Sequence, residues 1–118
     1  MRPESDAERA ARHAATVAAY RALVDHGGPP REPLVLEQHF FTGEAGDIDG
    51  LTAALTERGF RVESLSYDPG STDRTWRLVV VRLELLDEVR LLALSDELDA
   101  LARQFDGVYD GWLTHGDQ

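Results

Sequence analysis

The stretch TWRLVVVRLEL, residues 75–85, decides the fold. Its centre, LVVV at 78–81, is apolar at every position. A strand buried on one face alternates apolar and polar residues; a continuous apolar run marks a strand covered on both faces. Residues 75–85 therefore belong in the middle of a sheet. Just before them, DPGSTDR (68–74) is a turn, because Pro69 presets φ and Gly70 permits a positive one. FRVESLSY (60–67) precedes that turn and reads as a strand, with Phe60 and Val62 alternating against Arg61 and Glu63. The two segments form a hairpin.

Helices flank the hairpin. Upstream, residues 47–58 carry Ile48, Leu51 and Leu55 at helical spacing, with Asp47 placed to cap the start and Gly59 to end it. Downstream, residues 89–105 repeat Leu94, Leu98, Leu101 and Phe105 in the same way, and Gly107 permits an abrupt exit. Each helix connects to one more strand. PLVLEQHFF (33–41) places Leu34, Leu36 and Phe40 on one side and Val35, Glu37, His39 and Phe41 on the other. VYDGWLTH (108–115) closes the chain. The order is β-α-β-β-α-β, two strand–helix–strand units joined by a hairpin, which is the ferredoxin-like pattern of the α+β class. Right-handed crossovers place these two helices on one face of the sheet.

A further helix is expected over 5–26, opened by a Ser5/Glu8 capping box and closed by GGPP. Val17, Tyr20 and Val24 give it one narrow apolar stripe, so it must pack on something. The sheet face left open by the other helices is one place for it; a partner could cover that face instead. The expected organisation is an N-terminal helix and Gly/Pro linker over 1–30 and a ferredoxin-like domain over 31–118, compact as one unit.

Composition narrows the function. With 118 residues there is room for one core. No apolar run approaches the roughly 20 residues that span a bilayer, and the acidic N-terminus is unlike a signal peptide, so a cytoplasmic protein is expected. No cysteine is present, which excludes thiolate chemistry and disulfides. The net charge is -10. Direct nucleic-acid binding needs surplus cations to neutralise phosphates, so a basic protein surface is the better partner. All twelve basic residues are Arg.

Few residues suggest chemistry. Glu37 and His39 point the same way, and His115 could join them if the last strand pairs with the first, but the spacing matches no metal motif. Asp106 and Asp110 flank Gly107, with Asp96, Glu97 and Asp99 nearby; these helix carboxylates read as a solvated face, not as a catalytic pair. GDIDG opens a helix, yet Asp47 and Asp49 would repel an anion there. Neither a catalytic residue, a metal site nor a cofactor is expected. In VYDGWL, ideal alternation puts Val108, Asp110 and Trp112 on one face and Tyr109, Gly111 and Leu113 on the other. Gly111 within a strand marks a bulge or a close backbone approach, and Trp112 beside it suggests an aromatic over space that a Cβ would block. This segment is either a structural edge strand or a contact surface, since Tyr and Trp are favoured at interfaces.

The stretch ARQFDGVYDGWLTH resembles the C-terminal signature of the RraB family, protein regulators of ribonuclease E. HGGPP after an N-terminal helix, VLEQHFF and LTERGFRV resemble further landmarks in the same order. The resemblance covers almost the whole chain. It implies a ferredoxin-like fold and a non-enzymatic protein that binds and inhibits ribonuclease E, restraining RNA decay. The positions it marks are Glu37, His39, Tyr109, Asp110, Gly111 and Trp112. Members of that family often carry a long acidic C-terminal tail, whereas this sequence stops at Gln118, so contacts made by such a tail are not expected of it. Two other classes fit the composition: an acidic immunity-type protein that neutralises a toxin nuclease, and a ferredoxin-like sensor that dimerises around a small ligand.

Overall fold

The computed structural model describes residues 3–114. Helix α1 (Asp6–Gly27) is followed by strand β1 (Leu34–Thr42), helix α2 (Ile48–Glu57), strands β2 (Arg61–Tyr67) and β3 (Trp76–Glu84), helix α3 (Glu88–Gln104) and strand β4 (Gly107–Thr114). The class is α+β, with the expected order of elements. The four strands form one sheet in the order β2-β3-β1-β4, and each neighbouring pair is antiparallel. The segment 75–85 is central as expected: Leu78, Val79, Val80 and Val81 are all buried.

Local chemistry sets the helix boundaries. Ser5 accepts from the Glu8 N–H while Glu8 accepts from the Ser5 N–H, closing the capping box at the start of α1. Asp47 caps α2 by accepting from Gly50, and Asp87 caps α3 by accepting from Arg90. Gly28, not Gly27, makes the exit from α1, at φ 80°. At the end of α3 the left-handed residue is Asp106, at φ 55°. Gly107 is therefore not the hinge that the sequence suggests. It is needed for close approach: a Cβ there would lie 3.0 Å from Thr42 Cγ2 and 3.2 Å from the Phe41 carbonyl oxygen.

All the helices pack on one face of the sheet. Phe40, Leu78, Val80 and Tyr109 of the sheet meet Ile48, Leu51 and Leu55 of α2 and Leu98, Leu101 and Ala102 of α3. Each large apolar side chain removed from water contributes about 1.5–3 kcal/mol. A second cluster lies beside the first. Leu36, Leu86 and Leu91 are capped there by Tyr20 and Leu23 of α1, together with Trp112.

The position of α1 removes one of the two alternatives for the open sheet face. It does not cover the opposite face; it lies next to α3 in the same helical layer. Its apolar stripe is too thin to select a sheet face, since Thr16 is the only buried residue in the helix. Polar contacts decide instead. Arg9, Arg12 and His13 reach across to Asp96 on α3. Among the described residues, no helix lies on the second sheet face, which bears Val35, Glu37, His39, Val79, Val81 and Leu83. Edge strand β2 also departs from the simple reading. Each of its residues is exposed, and a register shift between Val62 and Ser64 breaks the alternation.

Candidate functional site

Strand β4 carries most of the residues singled out by the sequence, and a bulge divides them. Between Gln38 and Phe40 the pairing with β4 shifts register: Gln38 lies opposite Trp112, but Phe40 lies opposite Tyr109. Gly111 takes φ 99° at this point. A side chain there would meet nothing within 4 Å. The glycine thus serves backbone conformation and not close approach, and Trp112 does not occupy its place. The extra residue overturns ideal alternation. Tyr109 and Trp112 share the helix-covered face, while Val108 and Leu113 point to the bare one.

On the covered face, the Tyr109 hydroxyl donates a 2.6 Å hydrogen bond to Gln38 Oε1, with both groups buried. Tyr109 also packs on the Phe40 ring at 5.3 Å between centroids. Burial pushes the Tyr109 phenol well above its ordinary pKa, so it stays neutral. Trp112 packs, with Tyr20 and Leu23 of α1, against the buried Leu36, Leu86 and Leu91. A groove of about 490 Å³ runs between α1 and β4, floored by Tyr109, Gly111 and Trp112 and walled by Glu4, Glu8 and Arg12.

The wall is an ion-pair network that sequence reasoning missed. Arg12 donates to Glu4 at 2.6 and 2.9 Å, to Ser95 at 2.6 Å and to Asp96 at 2.8 Å. Arg9 and His13 also hold Asp96, at 2.9 and 2.7 Å. Asp99 is buried against Arg103 at 2.8 Å. The Arg9 guanidinium, joined by Arg12 and His13, holds the Asp96 carboxyl well below the usual range. Glu4, with Asp96, drives Arg12 above its already high value. Asp96 and Asp99 are therefore not a solvated face. The available signal was a pair of arginines, Arg9 and Arg12, in an otherwise Ala-rich helix.

On the bare face, His39 Nε2 lies 3.0 Å from Glu37 Oε1. Asp110 lies 3.5 Å from Arg77. The structure thus keeps Glu37, His39 and Asp110 on one side of the sheet and Tyr109 and Trp112 on the other. Among the described residues no three His, Asp or Glu side chains gather in a way that could hold a metal ion. His115, the third ligand considered, lies outside the described residues.

Charge is distributed unevenly. Helix α2 carries Asp49 and Glu57 behind its Asp47 cap and has no Arg within its span. The bare sheet face instead mixes Arg61 and Arg77 with Glu37 and Asp110.

The family model described as regulator of ribonuclease activity B matches residues 13–114, from within α1 to the end of β4. The chain belongs to the RraB family. RraB proteins regulate the activity of ribonuclease E and are not enzymes, so this chain is a regulator of ribonuclease activity and catalyses no reaction of its own. The RraB match includes the groove floor, the bulge at Gly111 and both faces of β1. No curated protein matches the chain. Among the described residues, no helix is long and apolar enough to cross a membrane.

Proposed function

We propose that the chain acts in the cytoplasm by docking its acidic helical side onto a basic surface of a ribonuclease E-type enzyme, lowering RNA cleavage without binding RNA itself. The observation that carries this reading is the separation of charge. Asp47, Asp49 and Glu57 project from the α2 region, where Arg58 at the C-cap is paired with Glu97 at 3.3 Å, in a chain of net charge -10. An enzyme that handles RNA presents cationic surfaces to phosphates, and opposite fields accelerate encounter and orient it. The architecture is read as a ferredoxin-like sandwich with an added N-terminal helix, a reading supported by the two strand–helix–strand units and the hairpin between them. Glu37, His39, Tyr109, Asp110, Gly111 and Trp112 then hold the sheet and its groove in shape beneath the docking side.

The test is cleavage of a defined RNA by the host nuclease with and without the purified chain. Inhibition that weakens with added salt is expected, because exposed charges are screened over about 10 Å at 0.1 M salt. Asp49→Arg combined with Glu57→Arg should weaken inhibition and flatten its salt dependence. Cleavage that proceeds unchanged at saturating protein rules the reading out.

A further inference from the structure

We infer that the bare sheet face joins two copies of this chain, sheet to sheet. The inference rests on that face alone and does not depend on the nuclease reading of the helical side.

The helical layer covers only one side of the sheet, so the other side meets water. That side is not built for water. Leu83 and Leu113 are 61% and 59% exposed, and Val108 is 48% exposed. Val35 lies opposite Leu83, and Leu113 lies opposite Glu37, so the two leucines flank the same stretch of β1. Beneath them Val79 and Val81 are already dry. An uncovered antiparallel face normally alternates to polar residues. Leu83, Val35 and Leu113 adjoin across three neighbouring strands, and an exposed apolar patch of this kind marks an interaction site.

Charge selects the occupant. The chain carries -10 overall, yet this face has no negative surplus. Arg77 is paired with Asp110, His39 with Glu37, and Arg61 stands opposite Val81. The Arg74 guanidinium carbon lies over the Phe41 ring, 4.2 Å from its centroid. A basic enzyme surface has nothing to gain here, and a surplus of about one arginine is too small for a nucleic acid, which needs several phosphates neutralised. A second copy, by contrast, is repelled from the acidic helical side and admitted only through this one. A two-fold contact sets the same patch on itself, so a balanced apolar patch is self-complementary by construction.

The area is sufficient. Strands of nine, seven, nine and eight residues, at about 3.4 Å per residue and about 4.8 Å between strands, give a face of roughly 540 Å². Two such faces bury about 1,100 Å², enough for a weak interface and just under the range of stable ones. The dimer should therefore dissociate on dilution.

Sedimentation velocity of the full chain over a wide concentration range tests this. A monomer–dimer equilibrium is expected. Leu83→Glu and Leu113→Glu should each weaken it by about tenfold or more, because a carboxylate would be buried without a partner. Both side chains are largely exposed in one copy, so the thermal melt of the dilute monomer should stay the same. Val89→Glu, at an exposed position at the start of α3, should leave dimerisation unchanged. A chain that stays monomeric at every concentration overturns the inference and leaves the face to a different partner. So does a dimer that survives Leu83→Glu and Leu113→Glu but is lost in Val89→Glu.

Discussion

Tyr109 and Gln38, 71 positions apart in sequence, share a 2.6 Å hydrogen bond inside the helix–sheet core. Gln38 is 1% exposed, and its Nε2 has no partner among the described residues. Among those residues the tyrosine hydroxyl is the hydrogen-bond partner of this buried amide side chain, and it links the first strand to the last.

Tyr109→Phe should destabilise the fold by about 1–3 kcal/mol, because it leaves Gln38 Oε1 buried and unpaired. The double variant Tyr109→Phe with Gln38→Leu should recover most of that loss, since removing both polar partners can be nearly neutral. Urea denaturation measures both. A double variant no more stable than the single one would contradict this account.

Arg12→Met keeps the aliphatic stem and removes the guanidinium that joins Glu4, Ser95 and Asp96. The expected loss is about 2–3 kcal/mol, the range for charge-assisted bonds that are partly buried. The loss should shrink when Asp96→Asn is already present, because the two residues act through one network. Equilibrium unfolding of the four proteins in this cycle gives the coupling directly.

Acid should loosen α1 from α3. The Asp96 carboxyl has a lower pKa folded than unfolded, where it titrates near 3.9. As pH falls below about 4, the unfolded chain takes up this proton before the folded one, so the network's stabilisation is present at neutral pH and is lost progressively toward lower pH. Trp112 packs in one cluster with Tyr20 and Leu23 of α1 and reports the change. In a Trp76→Phe background, its fluorescence should shift on acidification, and Asp96→Asn should flatten that pH dependence.

Gly111→Ala should cost about 1–3 kcal/mol through backbone strain alone, because φ is 99° and the added methyl would meet nothing. The thermal midpoint should drop while the core remains packed, as read by near-ultraviolet circular dichroism. A neutral substitution would show that the bulge can relax.

The elements were legible because each is specified locally. Ser5 and Glu8 announce a helix start, Asp47 announces another, and the unbroken LVVV of 78–81 can only be interior. The signature around YDGW was legible too, and it pointed to the right family. Its geometry was not. One positive φ at Gly111 reverses which side chains share a face, and nothing in the alternation of VYDGWL discloses where the extra residue falls. The carboxylates of α3 were misread for a related reason. Asp96 and Asp99 occupy polar positions on an isolated helix, and only the arrival of α1 turns those positions into an interface.

By itself, then, the sequence settled what each segment would become and that the chain's charge is negative, since propensity, capping and apolar period act over a few neighbouring residues. The tertiary structure alone decided that α1 joins the helical layer, that Glu37, His39 and Asp110 part from Tyr109 and Trp112, and that one sheet face stays bare. Those outcomes depend on strand register and on ion pairs such as Arg12–Asp96, formed between residues far apart in the chain, whose free energy exists only once the sheet has brought them together.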